Sequence, residues 1–131
     1  MSTRANVVIK DKYDELWFYR HSDGYPEGTM PTLKKFINLV KKGKIRDNVY
    51  QASGWLIILG AEEYKHHHIK REEKSYEDLT PKQEAEWKNK ISTVPLDWKV
   101  GAYEPTMGRH GDIEYLYTID LDKKTIQIAK L

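Results

Sequence analysis

The amino-acid sequence predicts an α+β fold, in which an antiparallel sheet of about five strands carries two core helices on one face. Near both ends of the chain, hydrophobic residues alternate with a period of two, which is typical of strands. Between these ends, hydrophobic residues recur at helical spacing. The 131 residues fit one domain, 1–131, which is large enough to bury a core without covalent staples.

An N-terminal hairpin opens the predicted sheet. Residues 4–11 alternate between the two faces of a strand, and "DKYDE" then turns the chain. Residues 15–21, "ELWFYRH", return as a second strand rich in the aromatic residues that suit a pleated sheet. The alternation places Arg20 on one face of this strand and His21 on the other.

The first core helix is predicted to begin at Pro31, because proline fits the first helical turn, and to stop at Gly43. Its apolar face consists of Leu33, Phe36, Ile37 and Val40.

The second core helix is predicted to begin near Asp47 or Asn48, since Asn48 and Gln51 have the spacing of a capping box. Residues 55–59, "WLIIL", make this segment apolar almost all round, which indicates burial in the core. A buried strand is the alternative for so short an apolar run, and we expect the helix.

A charged segment of about residues 65–96 follows. Within it, Thr80, Pro81 and Gln83 have the pattern of a helix start, which predicts a short exposed helix through about Lys90.

The remaining strands are predicted near the C-terminus. Residues 97–106 are predicted to form a strand that ends before Pro105, and "GRHGD" at 108–112 is expected to be a loop. Residues 113–121 and 126–131 flank the turn "DKKT" and predict a C-terminal hairpin.

Composition excludes several functional classes. The chain has no cysteine, which excludes disulfides, thiolate metal sites and a cysteine nucleophile. It has no apolar run long enough to cross a bilayer and no signal-peptide core, so we expect a cytoplasmic protein without a membrane partner. Net charge is +2. Residues 33–46 hold six cations and no acid, which we interpret as a solvated helix face, and direct nucleic-acid binding is not expected.

Two polar clusters lie beside predicted strand ends and form the candidate ligand site. The first comprises Arg20, His21, Asp23, Tyr25 and Glu27, and the second comprises Glu104, Thr106, Arg109, His110, Asp112 and Glu114. All of them except Glu27, Thr106 and Glu114 are predicted to contact the ligand. Arginine can bind phosphate through two hydrogen bonds, aromatic and imidazole rings can stack on a base, and a carboxylate can hold a ribose hydroxyl. If the two hairpins share one sheet, the clusters converge on a pocket for a nucleotide-type ligand. The alternative is that each cluster is only a polar turn.

Metal and cofactor binding are not expected. Asp112 and Glu114 would point the same way on a strand and suit Mg²⁺ or Mn²⁺, but carboxylates alternate on many solvated strand faces. Residues 66–68, "HHH", diverge by about 100° each on a helix and cannot converge on one ion. No residue is marked out as a nucleophile, and no catalytic residue is assigned.

Four segments carry a family resemblance: "MSTRANVVIKD", "LWFYRHSDGYPEG", "QASGWLIILGAEEY" and "WKVGAYEPT…HGDIEYLYTIDL". Together they resemble a group of small, mostly uncharacterised proteins from bacteriophages and mobile elements. The resemblance covers roughly residues 1–64 and 98–121. It leaves out the charged segment 65–96, which it thereby implies to be a variable insertion. It implies a role in countering host defence, because small phage proteins of this kind bind defence complexes or act on signalling nucleotides.

The combined expectation is an anti-defence protein that binds and sequesters a nucleotide-derived immune signal, either a cyclic nucleotide or an ADP-ribose type, without chemistry. We expect a homo-oligomer, since such pockets are often built between subunits. One alternative is a small phosphodiesterase or nuclease that uses His21 or His110 as acid or base. The other is a protein inhibitor of a host defence complex, such as an anti-CRISPR, with the insertion as its contact arm.

Overall fold

The protein's computed structural model describes residues 2–72, 80–82, 85, 86, 89 and 101–131. These residues form an α+β fold, as predicted. The elements in chain order are β1 (Ala5–Lys10), β2 (Glu15–Arg20), α1 (Pro26–Lys41), α2 (Val49–Glu72), β3 (Glu104–Thr106), β4 (Tyr115–Asp120) and β5 (Thr125–Lys130).

One sheet contains all five of these strands in the order β3-β2-β1-β4-β5. The hairpins β1–β2 and β4–β5 are antiparallel, as predicted, but β1 and β4 run parallel, so the sheet is mixed rather than wholly antiparallel. The cause is the loop 107–114. It leaves the short strand β3 and returns to the end of the sheet where β1 begins, and there the Glu114 N–H donates to the Arg4 carbonyl at 2.9 Å.

Both helices pack on one face of the sheet, where the main hydrophobic core lies. Every second residue of the strands points into it, including Val7, Phe18 and Tyr117. Phe36 of α1 and Leu56 of α2 meet these residues from the helix layer. We call the side of the sheet opposite to α1 and α2 the open face.

Helix α1 begins at Pro26, five residues before the predicted start at Pro31. Both prolines fit a first turn, and the earlier one is used: Pro26 follows the N-cap Tyr25, whose carbonyl accepts the N–H groups of Gly28 and Thr29 at 3.0 Å. Pro31 is tolerated inside the helix, where it is exposed.

The predicted stop of α1 is confirmed. Gly43 has φ +74°, a left-handed conformation that residues with a Cβ rarely adopt. The Gly43 N–H donates to Val40 and the Lys44 N–H donates to Leu39, which is the hydrogen-bond pattern of a Schellman C-cap.

The start of α2 is also confirmed. The Asn48 side-chain oxygen accepts the N–H groups of Tyr50 and Gln51 at 3.1 and 3.2 Å and thereby caps the helix. Residues 55–59 are helical, so the alternative of a buried strand is wrong. Only one side of this apolar helix faces the core, and Trp55 and Ile58 are exposed.

Strand β3 is an edge strand of three residues that contains Pro105, whereas the sequence predicted a strand ending before it. Proline is compatible with an edge, because the missing N–H need not pair with a second strand. Residues 97–100 of the predicted strand lie outside the described residues, as does most of the insertion. Of the short exposed helix predicted from Thr80 to about Lys90, the described positions after Thr80 (81, 82, 85, 86 and 89) are helical and exposed. Among the described residues, no helix has the length and apolarity that crossing a membrane requires.

Candidate functional site

The sheet separates the eight predicted site residues into two groups. His21, Glu104, His110 and Asp112 lie on or beside the open face, around the ring of Tyr19. Arg20, Asp23 and Tyr25 belong to the helix side. Arg109 precedes His110 in the loop 107–114 and is exposed. The structure therefore brings together four of the eight residues, one from the first sequence cluster (His21) and three from the second.

Tyr19 is the centre of the open-face group. Its ring is buried, with the His110 ring stacked on it at 3.9 Å and the His21 ring edge-on at 4.6 Å. Burial, followed by the hydrogen bond to Asp112, raises the pKa of the Tyr19 hydroxyl. Two histidines 89 positions apart in the sequence thus flank one aromatic ring, and we call them the imidazole pair.

Each member of the imidazole pair has a different hydrogen-bond partner. His21 Nε2 lies 3.1 Å from Glu104 Oε2, and the two side chains are 57% and 54% exposed. This contact exists because β2 pairs with β3 and sets Tyr19 opposite Glu104. His110 Nε2 lies 2.7 Å from the hydroxyl of Thr106. One imidazole is therefore held by a carboxylate and the other by a hydroxyl, so the two are chemically distinct.

The position of His110 is fixed from beneath by Asn6, a buried residue of β1. The Asn6 side-chain NH₂ group donates to the Phe18 carbonyl at 2.8 Å, and the Asn6 side-chain oxygen accepts the backbone N–H of His110 at 2.7 Å. Asp112 ties down the same loop, because it accepts the Tyr19 hydroxyl at 2.9 Å. The loop is thus ordered before any ligand binds, which lowers the entropic cost of binding.

Sequence reasoning did not identify Asn6 or Tyr19 as site residues. The signal was present for Asn6, because an amide inside the apolar run "ANVVI" needs hydrogen-bond partners if it is buried. No comparable signal marks Tyr19, since an aromatic residue in a strand is ordinary.

Arg20 faces the helices and is 1% exposed. Its Nη1 and Nη2 donate to the two carboxylate oxygens of Glu63 on α2, at 2.7 and 3.2 Å, and its Nε donates to the Ser22 carbonyl at 2.7 Å. The guanidinium also lies over the Tyr103 ring, 5.2 Å from its centroid. Burial is the largest single influence and would lower the pKa of Arg20, but hydrogen bonding to Glu63, together with the electrostatic effects of Tyr103 and Glu63, outweighs it and raises the pKa. Arg20 is therefore a buried structural cation.

A groove of about 470 Å³ lies on the helix side, between the start of α1 and the middle of α2. The charged groups among the described residues that line it are four carboxylates and one lysine: Asp23, Glu27, Glu62, Glu63 and Lys35. The Asp23 carboxylate, together with burial, raises the pKa of the Tyr25 hydroxyl in this groove. So acidic a lining repels an anionic ligand, although Asp23 and Tyr25 were predicted to contact one.

The described residues contain no group of three or more histidine or acidic side chains that could hold a metal ion. Asp112 is engaged by Tyr19 and lies 3.6 Å from the Arg4 guanidinium. Residues 66–68 are part of α2.

Comparison with protein-family models, with curated proteins and with solved structures finds no match to this chain. The resemblance to phage and mobile-element proteins therefore stays a prediction. The fold and the open-face geometry carry the functional argument that follows.

Proposed function

We propose that the protein binds a nucleotide-type small molecule on the open face of its sheet and acts by sequestering it. The observation that carries this proposal is the imidazole pair, in which His21 and His110 flank Tyr19 at 4.6 and 3.9 Å. Protonated imidazoles bind phosphate oxygens, and their ring faces stack on bases. In the phage context that the sequence resemblance implies, the ligand would be a signal of host defence.

Charge distribution favours the open face over the groove. Two exposed arginines lie near the imidazole pair. Arg109 directly precedes His110 in the chain. Arg4 lies 3.6 Å from Asp112, which accepts the hydroxyl of Tyr19. The groove on the other side of the sheet is lined mainly by carboxylates among its charged groups. The open face sets the two arginines against the two carboxylates of Glu104 and Asp112, whereas the groove sets one lysine against four carboxylates. A phosphate-bearing ligand is therefore repelled less at the open face than in the groove. In this proposal Arg20 does not touch the ligand.

Calorimetric titration with cyclic mono- and dinucleotides and with ADP-ribose tests the proposal. At least one ligand should bind, and His110→Ala and Arg109→Ala should each weaken it by about tenfold or more, since a charged hydrogen bond contributes about 1.5–3 kcal/mol. Lys123→Ala is the matched loss of one exposed cation and should leave affinity unchanged, because the β4–β5 turn lies at the opposite end of the sheet from the imidazole pair. The proposal is refuted if none of these nucleotides binds, or if all three variants lose affinity equally.

A second candidate, phosphodiester cleavage, is favoured by the unequal partners of the imidazole pair. His21, next to the Glu104 carboxylate, would accept a proton from the attacking hydroxyl or water, and His110 would donate one to the leaving oxygen as the phosphorus–oxygen bond breaks. Incubating the same nucleotides with the protein and separating them by chromatography distinguishes the candidates. Sequestration leaves the ligand intact. Cleavage yields products whose formation both His21→Ala and His110→Ala abolish.

A further inference from the structure

Helix α2 turns an apolar strip away from the core. Tyr50, Trp55, Ile57 and Ile58 are 59%, 46%, 37% and 45% exposed. At 100° per residue these positions fall on one side of the helix, opposite the buried Ala52 and Leu56. We call these four residues the α2 stripe. A contiguous apolar surface of this kind marks an interaction site more often than scattered exposed residues do.

The α2 stripe has a depression at its centre. A hollow of about 390 Å³ is lined by Tyr50, Gln51, Gly54, Trp55 and Ile58. A Cβ added to Gly54 would meet no atom within 4 Å, so the helix backbone is open to contact there. A facing helix can therefore approach closely at Gly54 and insert a side chain beside it.

The two ends of the helix layer carry opposite charge. At the α1–α2 connection, residues 41–48 contain four cations and one acid, Asp47. At the other end, Glu27 and Glu62 line the acidic groove. Glu62 is partly offset by Lys65 at 3.3 Å, and Glu63 by the buried Arg20. The α2 stripe lies between these ends, so the surface is basic, then apolar, then acidic along the helix.

We propose that the α2 stripe is the interface of a symmetric dimer of this chain, with the two copies of α2 antiparallel and the two-fold axis near Gly54. A second copy is the occupant that matches the charge pattern, because a two-fold axis sets the basic end of each chain against the acidic end of the other. Glu62 follows Gly54 by eight residues and Arg46 precedes it by eight, so this geometry brings Arg46 of one copy toward Glu62 of its partner.

The open face and its imidazole pair lie across the sheet from this interface. Dimer formation therefore does not depend on the proposed ligand, and either proposal can fail without the other.

Analytical ultracentrifugation of the full chain over a wide concentration range tests the dimer. The wild-type protein should dimerise, and Ile58→Asp should raise the dimer dissociation constant by about tenfold or more. Ile128→Asp, which places the same charge on the comparably exposed Ile128 of β5, should leave it unchanged. A monomer at every concentration, or equal effects of the two variants, overturns the proposal.

A charge-reversal cycle tests the antiparallel arrangement and does not rely on a variant that introduces charge into an apolar surface. Arg46→Glu and Glu62→Lys should each weaken the dimer, and the double variant should recover most of the wild-type affinity, as expected for two groups that face each other. Losses that simply add in the double variant contradict this arrangement.

Discussion

Arg20 and Glu63 join the sheet to the helix layer through a buried ion pair with two hydrogen bonds, at 2.7 and 3.2 Å. Thr32 of α1 donates to the same carboxylate at 3.3 Å, so strand β2 and both helices meet at one group. Arg20, which the sequence predicted as a ligand-binding residue, is thus buried in the core. Its charge stabilises the fold only while Glu63 remains its partner.

Removing one partner of this pair should destabilise the protein strongly. Arg20→Met leaves the Glu63 carboxylate, which is 13% exposed, without its cation, and should lower the free energy of unfolding by about 3 kcal/mol. Arg4→Met is the control, because the Arg4–Asp112 pair is 46% and 49% exposed and should contribute less than about 1 kcal/mol. Urea denaturation measures both. If the two variants lose similar free energies of unfolding, the buried pair contributes no more to stability than the exposed one.

Asn6 should control the loop that carries His110. Asn6→Ala leaves the His110 N–H and the Phe18 carbonyl without their partner, which should cost about 1–3 kcal/mol and speed hydrogen exchange at the His110 amide. Val8→Ala also truncates a buried β1 side chain, but it touches neither hydrogen bond and should change global stability alone. If the His110 amide exchanges equally fast in the two variants, Asn6 does not anchor the loop.

Asp11 should make stability depend on acidic pH. Its carboxylate accepts the N–H groups of Asp14, Tyr13 and Val49, and these hydrogen bonds lower the pKa of Asp11. Because the pKa is lower in the folded state, the stabilisation is complete above the unfolded value of about 3.9 and is lost as pH falls through the folded value. The stability gap between the wild type and Asp11→Asn should therefore shrink on acidification.

Asn48→Ala provides the control for Asp11, because Asn48 caps the same helix without titrating. Its destabilisation, about 1 kcal/mol, should be the same at acidic and neutral pH. Denaturant titrations at several pH values measure both gaps. An Asp11→Asn gap that stays constant into strong acid would contradict the assignment.

The two interior glycines of α2 should respond in opposite ways to alanine. At Gly60 a Cβ would lie 2.6 Å from the buried Tyr103 ring, so Gly60→Ala should destabilise by about 1–3 kcal/mol. At Gly54 the space is open, so Gly54→Ala should stabilise by up to about 1 kcal/mol through helix propensity. Both variants should be measured by denaturation in an Ile58→Asp background to suppress dimerisation. The same sign for both would refute the packing argument.

Local signals in the sequence predicted most of the elements, and non-local pairing accounts for what they missed. The capping residue Asn48, the stop at Gly43 and the alternation in both hairpins depend on near neighbours, and the structure follows them. The parallel β1–β4 pair depends on the path of the loop 107–114, which no local pattern encodes.

The candidate site shows the same division. Period-two alternation already placed Arg20 and His21 on opposite faces, so the sequence alone contained the reason why the two cannot share one pocket. The partner of Arg20 was not predictable, because Glu63 lies 43 positions away in a charged stretch where an acid is unremarkable. The meeting of His21 with His110 required knowing that β3 pairs with β2.

The central place of β1 also affects how the protein is made. β1 leaves the ribosome long before β4, which is one of its two neighbours in the sheet. Until β4 is synthesised, the nascent chain exposes an unpaired edge beside Val7 and Ile9, the kind of surface that recruits other unfinished chains. Translation that stalls within residues 101–114 therefore leaves an aggregation-prone intermediate rather than a smaller folded domain.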